Sequence, residues 1–319
     1  MNLEDNVSDI GEKGLVNIIT SKVGNDFIGD DGAVVDNNFN NLILSSDMLI
    51  QSHHFPREMS YFQMGFKIVT VNVSDVCAMG GVPKFFLLNI AVPKDLKVEY
   101  FEEIIDGVVE ACKYYNLDFV GGDTNEASEI ILSGSIFAYV DKDKELLKAG
   151  FKKGDLLCVT GGLGFAALGF YLLNGNVDDG DFYKSRILQP FVNVNVGKVL
   201  CNVASSATDI TDGLSEELYE MLDVSNDGFG FRVYEDKLPL SDEFCNLAGV
   251  VGKDPLDLFF NFGEDFELVF TIDRKFETDL SFLLDFFVIG EVTDTGCVDF
   301  VGLDGDVDVL PRVGYEHLL

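Results

Sequence analysis

The sequence predicts a two-domain α+β protein, and three observations lead to that prediction. The chain has 319 residues, more than one hydrophobic core usually serves. Hydrophobic residues make up 47% of it and include 28 Phe, so there is enough apolar bulk to fill real cores instead of leaving the chain disordered. Predicted strands stand next to one another as well as next to helices, an order that favours α+β over a doubly wound sheet.

The first half of the chain carries two predicted helices and four predicted strands. Apolar residues at three- and four-residue steps predict helices over residues 60–79 and 97–115. Gly80 and Gly81 follow the first helix directly, which is a common way for a helix to end. Runs rich in apolar and β-branched residues predict the strands, at residues 41–45, 85–92, 119–121 and 130–140.

A charged stretch at residues 141–155 predicts the connection between a first domain of residues 1–140 and a second domain of residues 148–319. Residues 156–177 are uncharged and about as long as a membrane span, but five glycines interrupt them, so a buried strand, a glycine turn and a buried helix are predicted instead. The elements predicted for the second half are strands at 156–160, 266–271 and 287–292, helices at 165–173 and 214–222, and a loop at 174–181.

The chain is strongly acidic. It has 55 Asp and Glu against 22 Lys and Arg, giving a formal net charge of −33. Such a surface repels nucleic acid and anionic membranes, because both are polyanions, so neither is expected as a partner. Most of these carboxylates fit a solubility or high-salt adaptation. Phosphorylated substrates would also be repelled, and divalent cations are one way to overcome that repulsion.

Cysteine and histidine usage argues against disulfides and zinc. The six cysteines include no C-x-x-C pair and mostly have apolar neighbours, which is typical of small core residues in a reducing cytosol. Only three histidines are present, too few to favour a zinc site. Residues 1–9 contain three acids and no apolar run, so they do not predict a signal peptide, and a cytoplasmic protein is expected.

A minority of the acids stand at the ends of apolar strands, beside glycines or on an apolar helix. Burying a carboxylate costs about several kcal/mol unless it is paired or binds a metal, and basic partners are scarce here. Oxygen ligands of this kind suit Mg²⁺. A single such Asp fits a turn or a helix N-cap equally well, as Asp212 does before a helix, but the whole set favours a metal site. The set is Asp30, Asp31, Asp47, Asp75, Asp123, Asp209 and Asp212.

Familiar nucleotide-binding motifs are missing. The sequence has no G-x-x-x-x-G-K-[ST] loop and no H-R-D and D-F-G pair, which excludes P-loop enzymes and protein kinases. The motif G-G-L-G at residues 161–164 follows a predicted strand and precedes a predicted helix. It therefore suits either phosphate binding at a helix N-terminus or a simple packing turn.

Seven segments, taken in order, resemble the thiamine-monophosphate kinase family within the larger group of aminoimidazole-ribonucleotide-synthetase-like ATP enzymes. Each segment is weak alone, but together they span nearly the whole chain. They are I-G-D-D-G-A-V-V (28–35), S-S-D-M-L-I-Q-S-H-H-F (45–55), N-V-S-D-V-C-A-M-G-G (72–81), G-G-D-T (121–124), D-I-T-D-G-L (209–214), G-E-D-F-E-L (263–268) and I-G-E-V (289–292).

The resemblance implies a fold and a reaction. The fold would be a mixed α/β N-terminal domain forming a β-barrel at a homodimer interface, followed by a sandwich-like α+β C-terminal domain. The reaction would be direct in-line transfer of a phosphoryl group from ATP to thiamine monophosphate, giving thiamine diphosphate, with Mg²⁺ as cofactor and ATP as co-substrate. The accepting phosphate oxygen is already mostly anionic at neutral pH, so no general base is needed.

The resemblance also implies roles for individual residues. The implied catalytic residues are Asp75, Asp209 and Asp212. The implied metal ligands are Asp30, Ser45, Ser46, Asp47, Asp75, Asp123, Asp209 and Asp212. The implied ATP contacts are Gly122, Asp123, Lys148 and Thr211, and Lys148 stands where the family often has an Arg, so it keeps the charge but lacks the bidentate fork. The implied contacts to thiamine monophosphate are His54, Glu264 and Tyr315.

Two other readings remain open from the residues alone. Another ATP enzyme of the same superfamily, an aminoimidazole-ribonucleotide or selenophosphate synthetase, would use a similar fold with a different acceptor. Selenophosphate synthetases usually carry a reactive Cys near the N-terminus, whereas the first Cys here is Cys77, within a predicted helix. A non-catalytic divalent-ion-binding protein would be expected to carry a D-x-D-x-D-G calcium loop, and the acidic loop at 174–181 lacks that spacing.

Overall fold

The computed structural model describes residues 30–37, 40–225 and 228–315. Residues 1–9, where no signal peptide was expected, and residues 28–29 of the first glycine–acid motif lie outside the described residues. The described chain forms two sheets, one from each half. The predicted connection, residues 141–155, contains no helix or strand.

The first half forms a five-stranded sheet in the order β1-β2-β5-β3-β4. All neighbouring strands are antiparallel except β3 and β4, which are parallel. The sheet is open, with β1 and β4 at its edges, so the barrel expected at a dimer interface is not closed by this chain and stays a prediction. The strands are β1 (Ala33–Asn37), β2 (Asn40–Ile50), β3 (Val82–Val92), β4 (Asp118–Glu126) and β5 (Ile131–Val140).

Within the described part of the first half, three helices accompany this sheet: α1 (Gln51–His54), α2 (Tyr61–Ala78) and α3 (Val98–Tyr114). The predictions for α2 and α3 are confirmed to within one residue at each end. Ser60 and Gln63 form a capping box that starts α2, each side chain accepting from the other residue's backbone N–H. The two helices cross closely at two glycines, since a Cβ on Gly65 would lie 1.9 Å from Ile104 O and one on Gly107 would lie 1.9 Å from Phe62 O.

The second half forms a seven-stranded sheet in the order β12-β11-β8-β10-β6-β9-β7. Only β8 and β11 are parallel among its described pairs. Its strands are β6 (Leu156–Val159), β7 (Ala204–Asp209), β8 (Gly230–Tyr234), β9 (Leu268–Ile272), β10 (Phe287–Thr293), β11 (Val298–Val301) and β12 (Val307–Val309). Its helices are α4 (Phe165–Asn174), α5 (Asp181–Leu188), α6 (Asn195–Leu200), α7 (Leu214–Ser225), α8 (Asp242–Val250), α9 (Pro255–Asn261) and α10 (Glu277–Leu280).

Helix α2 lies between the two sheets. Fourteen of its eighteen residues are buried, which fits a central helix that packs against several other elements. It packs on β2, β3 and β5 of the first sheet and on β7 and α6 of the second half. One hydrophobic core therefore joins both halves, with Val76 of α2, Ile136 of β5 and Phe270 of β9 all fully or almost fully buried in it.

The uncharged stretch at residues 156–177 forms β6 and α4, as predicted. Among the helices of the described ranges, none is long and apolar enough to cross a membrane. All six cysteines are free thiols, and Cys77, Cys112 and Cys158 are buried core residues, in agreement with the expectation from the sequence.

Candidate active site

Four aspartates converge where α2 meets both sheets, and we call them the acid cluster: Asp31, Asp47, Asp75 and Asp209. Asp31 precedes β1, Asp47 lies on β2, Asp75 lies on α2 and Asp209 ends β7. Burial is the largest cause of the raised pKa of Asp75, and the charges of the other three aspartates raise it further, so the four carboxyls act on one another electrostatically.

Strand alternation brings Ser45 and Asp47 to the face of β2 that α2 covers. The Ser45 hydroxyl donates a short hydrogen bond to Asp75 Oδ2. The Asp47 backbone N–H donates to Asn72 Oδ1, one turn before Asp75 on α2, at 3.3 Å. The predicted grouping of Ser45, Asp47, Asp75 and Asp209 is therefore present in the fold.

The ionised forms of the carboxyls in the acid cluster are energetically unfavourable. Burial raises the pKa of Asp75 and of Asp209 well above the ordinary aspartate range, and the nearby Asp47 and Asp31 charges respectively add to the effect. Burial also raises the pKa of Asp47, although a hydrogen bond with the Asp75 side chain opposes that rise. Burial and mutual repulsion both disfavour the ionised forms of these carboxyls, and a nearby cation would offset that cost.

Two carboxylate oxygens of the acid cluster fit a divalent cation. Asp47 Oδ2 and Asp209 Oδ2 are buried and make no hydrogen bond within the described chain. An unpaired buried carboxylate oxygen is costly, and a hard cation such as Mg²⁺ would satisfy it. No set of three His, Cys, Asp or Glu side chains in the described ranges is already arranged as a metal site. Mg²⁺ usually takes one or two carboxylates and completes its shell with phosphate and water, so a site completed by its ligand is consistent with this arrangement.

Lys148 is the cation nearest to the acid cluster. Its Nζ lies 3.0 Å from Asp31 Oδ1, 2.8 Å from Glu220 Oε2 and 4.0 Å from Glu217 Oε2. Burial lowers the pKa of Lys148, but these three carboxylates outweigh it and the net pKa is raised well above the usual lysine value. Lys148 is thus held charged at the edge of the acid cluster.

Asp30 and Asp31 have separate surroundings. Asp30 Oδ1 accepts the Lys148 backbone N–H at 2.7 Å, and burial raises the pKa of Asp30. Asp31 instead accepts from the Thr208 hydroxyl at 3.1 Å and belongs to the acid cluster. The family motif implied a role for Asp30 alone. The adjacent Asp31 was visible in the sequence, but only its contact with β7, about 180 residues away, reveals its place.

Ser46 is not part of the acid cluster, contrary to the expectation. Successive side chains of a strand point to opposite faces, so Ser46 points away from Ser45 and Asp47. It is exposed on the other side of β2, where its hydroxyl donates to Gly134 O at 2.6 Å and contacts Ser135 Oγ at 2.9 Å.

Gly122 and Asp123 lie on β4, an edge strand whose nine residues are all exposed. Gly122 has φ +152° and approaches the backbone of β3 so closely that a Cβ would lie 1.7 Å from Leu88 O. Asp123 pairs with Asn89, on the face of the sheet that α2 does not cover. β4 is three strand spacings from β2, roughly 14 Å, so this chain does not bring Asp123 to its own acid cluster.

Thr211 and Asp212 closely follow β7, and Tyr315, from the end of the described chain, lies against them. The Glu217 carboxylate contacts the Thr211 hydroxyl at 3.3 Å and the Asp212 backbone N–H at 3.2 Å. The Tyr315 backbone N–H donates to Asp212 O at 3.1 Å. Helix α7 begins at Leu214, two residues after Asp212.

His54 and Glu264 are brought together by a residue that the sequence did not single out, Lys67 of α2. Lys67 is fully buried, and its Nζ donates to Glu264 Oε2 at 2.6 Å and to the His54 carbonyl at 2.8 Å. Glu264 is 24% exposed and has φ +58°, a conformation that costs energy for a residue with a side chain. Its N–H donates to Thr211 O at 2.9 Å. Lys67 and Glu264 therefore connect residues with different implied roles. His54 and Glu264 are implied to contact thiamine monophosphate, and Thr211 is implied to contact ATP.

The motif at residues 161–164 is a packing turn. The Asp265 carboxylate lies at the N-terminus of α4, where Oδ2 accepts from Gly164 N–H at 2.7 Å and Oδ1 from Ala166 N–H at 3.1 Å. A side-chain carboxylate thus satisfies the backbone donors that a phosphate would use. Of the two interpretations left open by the sequence, the structure favours the turn.

We expect the stability of the protein to depend on pH through the buried carboxyl of Asp265. Burial raises the pKa of this carboxyl to about 7, although its two backbone hydrogen bonds oppose the rise. The folded chain therefore binds this proton more tightly than the unfolded chain, so the stabilisation is full below the ordinary aspartate pKa and is lost as pH rises through about 7. Between pH 5 and 8, the free energy of unfolding of the native protein should fall by roughly 2–3 kcal/mol relative to that of Asp265→Asn. Urea titrations at several pH values measure this difference, and a constant difference would contradict the assignment.

Comparison with known proteins shows the family to which both halves belong. Models of the AIR synthase related protein family match the chain over both halves, the N-terminal domain over residues 29–140 and the C-terminal domain over residues 152–301. The thiamine-monophosphate kinase of Pyrococcus horikoshii is 36% identical over 309 residues, covering 96% of each chain. The chain belongs to the thiamine-monophosphate kinase family.

More distant members of the family and solved structures agree. The thiamine-monophosphate kinase of Escherichia coli K12 is 30% identical, covering 91% of each chain. A solved structure described as AaThiL complexed with AMPPCP and TMP superposes with a TM-score of 0.90 at 30% identity, covering 99% of this chain and 100% of that one. The hydrogenase maturation protein HypE of E. coli, at 18% identity and a TM-score of 0.73, shares the fold alone.

Proposed function

We propose that this chain transfers the γ-phosphoryl group of ATP to the phosphate of thiamine monophosphate, giving thiamine diphosphate and ADP. Membership of the thiamine-monophosphate kinase family supports the reaction class. The observation that carries the site assignment is the acid cluster, with two buried carboxylate oxygens that lack partners among the described residues.

The reaction needs positioning and charge compensation more than acid–base chemistry. The attacking group is a phosphate oxygen that is already mostly anionic at neutral pH, because the second pKa of a phosphate monoester is about 6. The chain around the site offers aspartates, glutamates and the two lysines Lys67 and Lys148, and the transfer requires no general base. Direct in-line transfer without a phosphoenzyme is the simplest course consistent with these groups.

Magnesium is part of the proposal. Asp47, Asp75 and Asp209 would hold the metal, with Ser45 orienting Asp75 through its hydrogen bond. When bound, Mg²⁺ would supply charge neutralisation for the phosphates of donor and acceptor. Asp30, which neighbours Asp31, and Asp212, which follows Asp209 by three residues, would be further ligands from this chain. Lys148, held charged by Asp31, Glu217 and Glu220, would face the ATP phosphates.

The acceptor would lie beside His54, Glu264 and Tyr315. Glu264 is tied by its backbone to Thr211, and Tyr315 by its backbone to Asp212. These hydrogen bonds hold both residues next to the D-I-T-D segment (209–212), which begins at the last residue of β7. Thiamine carries a cationic thiazolium ring, and a partly exposed carboxylate such as Glu264 suits a cationic ligand.

A homodimer is also proposed, formed through the first sheet. The face of that sheet opposite α2 carries an apolar row in which Leu44 pairs with Phe137 and Phe137 with Phe85. None of the three is buried, and Met48, four residues after Leu44 on the same face of β2, is 56% exposed. An uncovered apolar sheet face next to an exposed edge strand is typical of an interface. A second copy placed there would build the expected barrel from two open sheets and would put Asp123 into the interface.

The domain division follows the two sheets. We assign residues 1–140 to an N-terminal domain that carries the dimer face and Asp123, and residues 148–319 to a C-terminal domain that completes the metal and acceptor sites. The two halves share the hydrophobic core around α2, so the two domains are expected to unfold in a single thermal transition.

Product analysis tests the reaction. Purified protein is mixed with ATP, Mg²⁺ and thiamine monophosphate, and products are separated by chromatography. Thiamine diphosphate and ADP are expected in equal amounts. ATP consumption with aminoimidazole-ribonucleotide precursors, but none with thiamine monophosphate, would favour another ATP enzyme of the superfamily. Metal-dependent ATP binding with no turnover of any acceptor would favour a non-catalytic binding protein.

A further inference from the structure

Lys67 stands out among the basic residues because it is completely buried in a strongly acidic protein. Its side chain has no exposed surface, while its partner Glu264 is 24% exposed. A lysine is almost never fully buried unless it is paired, so its two hydrogen bonds, to Glu264 and to the His54 carbonyl, account for its being there. Neither the family resemblance nor the sequence pattern gives Lys67 a role.

The contacts of Lys67 connect parts of the chain that are far apart. Glu264 lies 197 residues further along, in the second half, and His54 ends helix α1 in the first half. Glu264 itself lies in a segment with three positive φ angles within four residues: +84° at Gly263, +58° at Glu264 and +51° at Phe266. A strained segment persists only where its surroundings hold it, and the ammonium of Lys67 is one of the groups that hold this one.

Helix α2 gives this contact a geometric consequence. Lys67 and Asp75 lie on the same helix, eight residues or roughly 12 Å apart along its axis. Asp75 belongs to the acid cluster, and Lys67 reaches the expected acceptor contacts. One rigid, buried helix therefore sets the separation between the phosphate end of the site and the acceptor end.

We propose that Lys67 is a positioning residue for the acceptor. Its buried ammonium fixes the Glu264 carboxylate beside the His54 turn, compensates part of its charge and leaves it accessible to the organic cation of thiamine monophosphate. Lys67 does not touch the substrate and acts through Glu264. The inference rests on the proposed function, because it assigns the acceptor end of that same site.

Removing the ammonium should affect the acceptor and not the nucleotide. In Lys67→Met, the KM for thiamine monophosphate is expected to rise about tenfold or more, because a buried charge pair is broken next to the ligand. The KM for ATP and the kcat at saturating acceptor should change by less than roughly threefold, the pattern of a lost binding contact that is equal in ground and transition states. Lys67→Arg, which keeps the charge, should recover part of the loss.

A matched control separates positioning from a general loss of structure. Thr70 lies one turn further along α2, is fully buried, and donates to Phe66 O at 3.2 Å while contacting Tyr115 Oη at 3.1 Å. Thr70→Val removes these buried hydrogen bonds without touching His54 or Glu264. It should lower Tm and leave the KM for thiamine monophosphate unchanged. If both variants shift that KM equally, Lys67 has only a structural role.

The decisive comparison is a double-mutant cycle of Lys67→Met and Glu264→Gln, read as the KM for thiamine monophosphate. If Lys67 acts through Glu264, the pair should have the same KM as Glu264→Gln alone. A further tenfold rise in the pair would overturn the proposal. The pair leaves no uncompensated buried charge, so it carries the test even if Lys67→Met alone fails to fold.

Product formation by the native protein distinguishes a failure of the proposed role of Lys67 from a failure of the proposed function. If it forms thiamine diphosphate and the cycle shows no coupling, the role of Lys67 falls and the proposed function stands. If it forms no thiamine diphosphate from thiamine monophosphate, the proposed function falls and the role of Lys67 falls with it.

Discussion

Replacing Asp209 by Asn is expected to lower kcat for thiamine diphosphate formation by about 10³-fold, because metal-assisted charge stabilisation is worth several kcal/mol at the transition state. The same substitution should leave the metal-free protein as stable as the native chain or more stable. Asp209 is 2% exposed, its Oδ2 lacks a partner among the described residues, and burial raises its pKa. Neutralising such a carboxylate removes an uncompensated buried charge, a gain of about 1–3 kcal/mol.

Asp299 provides the matched control for this prediction. It is another buried aspartate of the second half, 7% exposed, but its Oδ2 accepts from Arg232 Nη2 at 3.1 Å. Asp299→Asn should therefore lower the free energy of unfolding by about 1–3 kcal/mol and leave kcat within roughly twofold of the native value. Denaturant titration and initial rates on both variants give the comparison. Near-normal turnover in Asp209→Asn would remove it from the metal site.

The second large effect is expected for Asp123. Within its own chain, Asp123 lies on the face of the first sheet that α2 does not cover, and its strand is roughly 14 Å from β2. If Asp123 contacts ATP, it must serve the acid cluster of a second copy. Asp123→Ala should then lower kcat/KM for ATP by about 10²-fold or more, as for the loss of a phosphate-site group. A stable monomer should be as inactive as that variant.

Mixed dimers distinguish this arrangement from a site within one chain. Co-expressed Asp123→Ala and Asp209→Asn chains should recover about a quarter of the native rate, because half of randomly paired dimers are mixed and each has one intact site. The control is either variant expressed alone, which should stay inactive. No recovery, in a preparation where mass spectrometry shows mixed dimers, would place Asp123 in the site of its own chain.

The sequence predicted the elements whose signal is local. Helices α2 and α3 follow from apolar spacing, and their ends match within one residue. Strand β7, A-S-S-A-T-D, was missed because its small polar residues give no apolar run, although its last four residues are buried against β9. The exclusion of Ser46 was within reach of the sequence, since strand alternation alone separates it from Ser45 and Asp47.

Features of the site that depend on distant contacts were not predictable from one sequence. Lys67 looks like any basic residue on a helix until Glu264, 197 residues away, is placed against it. The G-E-D-F segment marked Glu264, but the neighbouring Asp265 caps α4 only because β9 returns next to the start of that helix. Asp31 likewise belongs to the acid cluster through its contacts with Lys148 and Thr208, which are both distant in sequence. These pairings depend on topology, and no local pattern encodes them.

The most direct test of the acid cluster as a metal site is the rate of thiamine diphosphate formation against free Mg²⁺, after the protein has been stripped with EDTA. The structure leads us to expect no turnover without added metal, full recovery on adding Mg²⁺, and a higher Mg²⁺ requirement in Asp47→Asn, which removes one of the two partnerless oxygens. Turnover that persists in metal-free buffer at the native rate would contradict the account, because the clustered aspartates would then have no role in bringing two phosphates together.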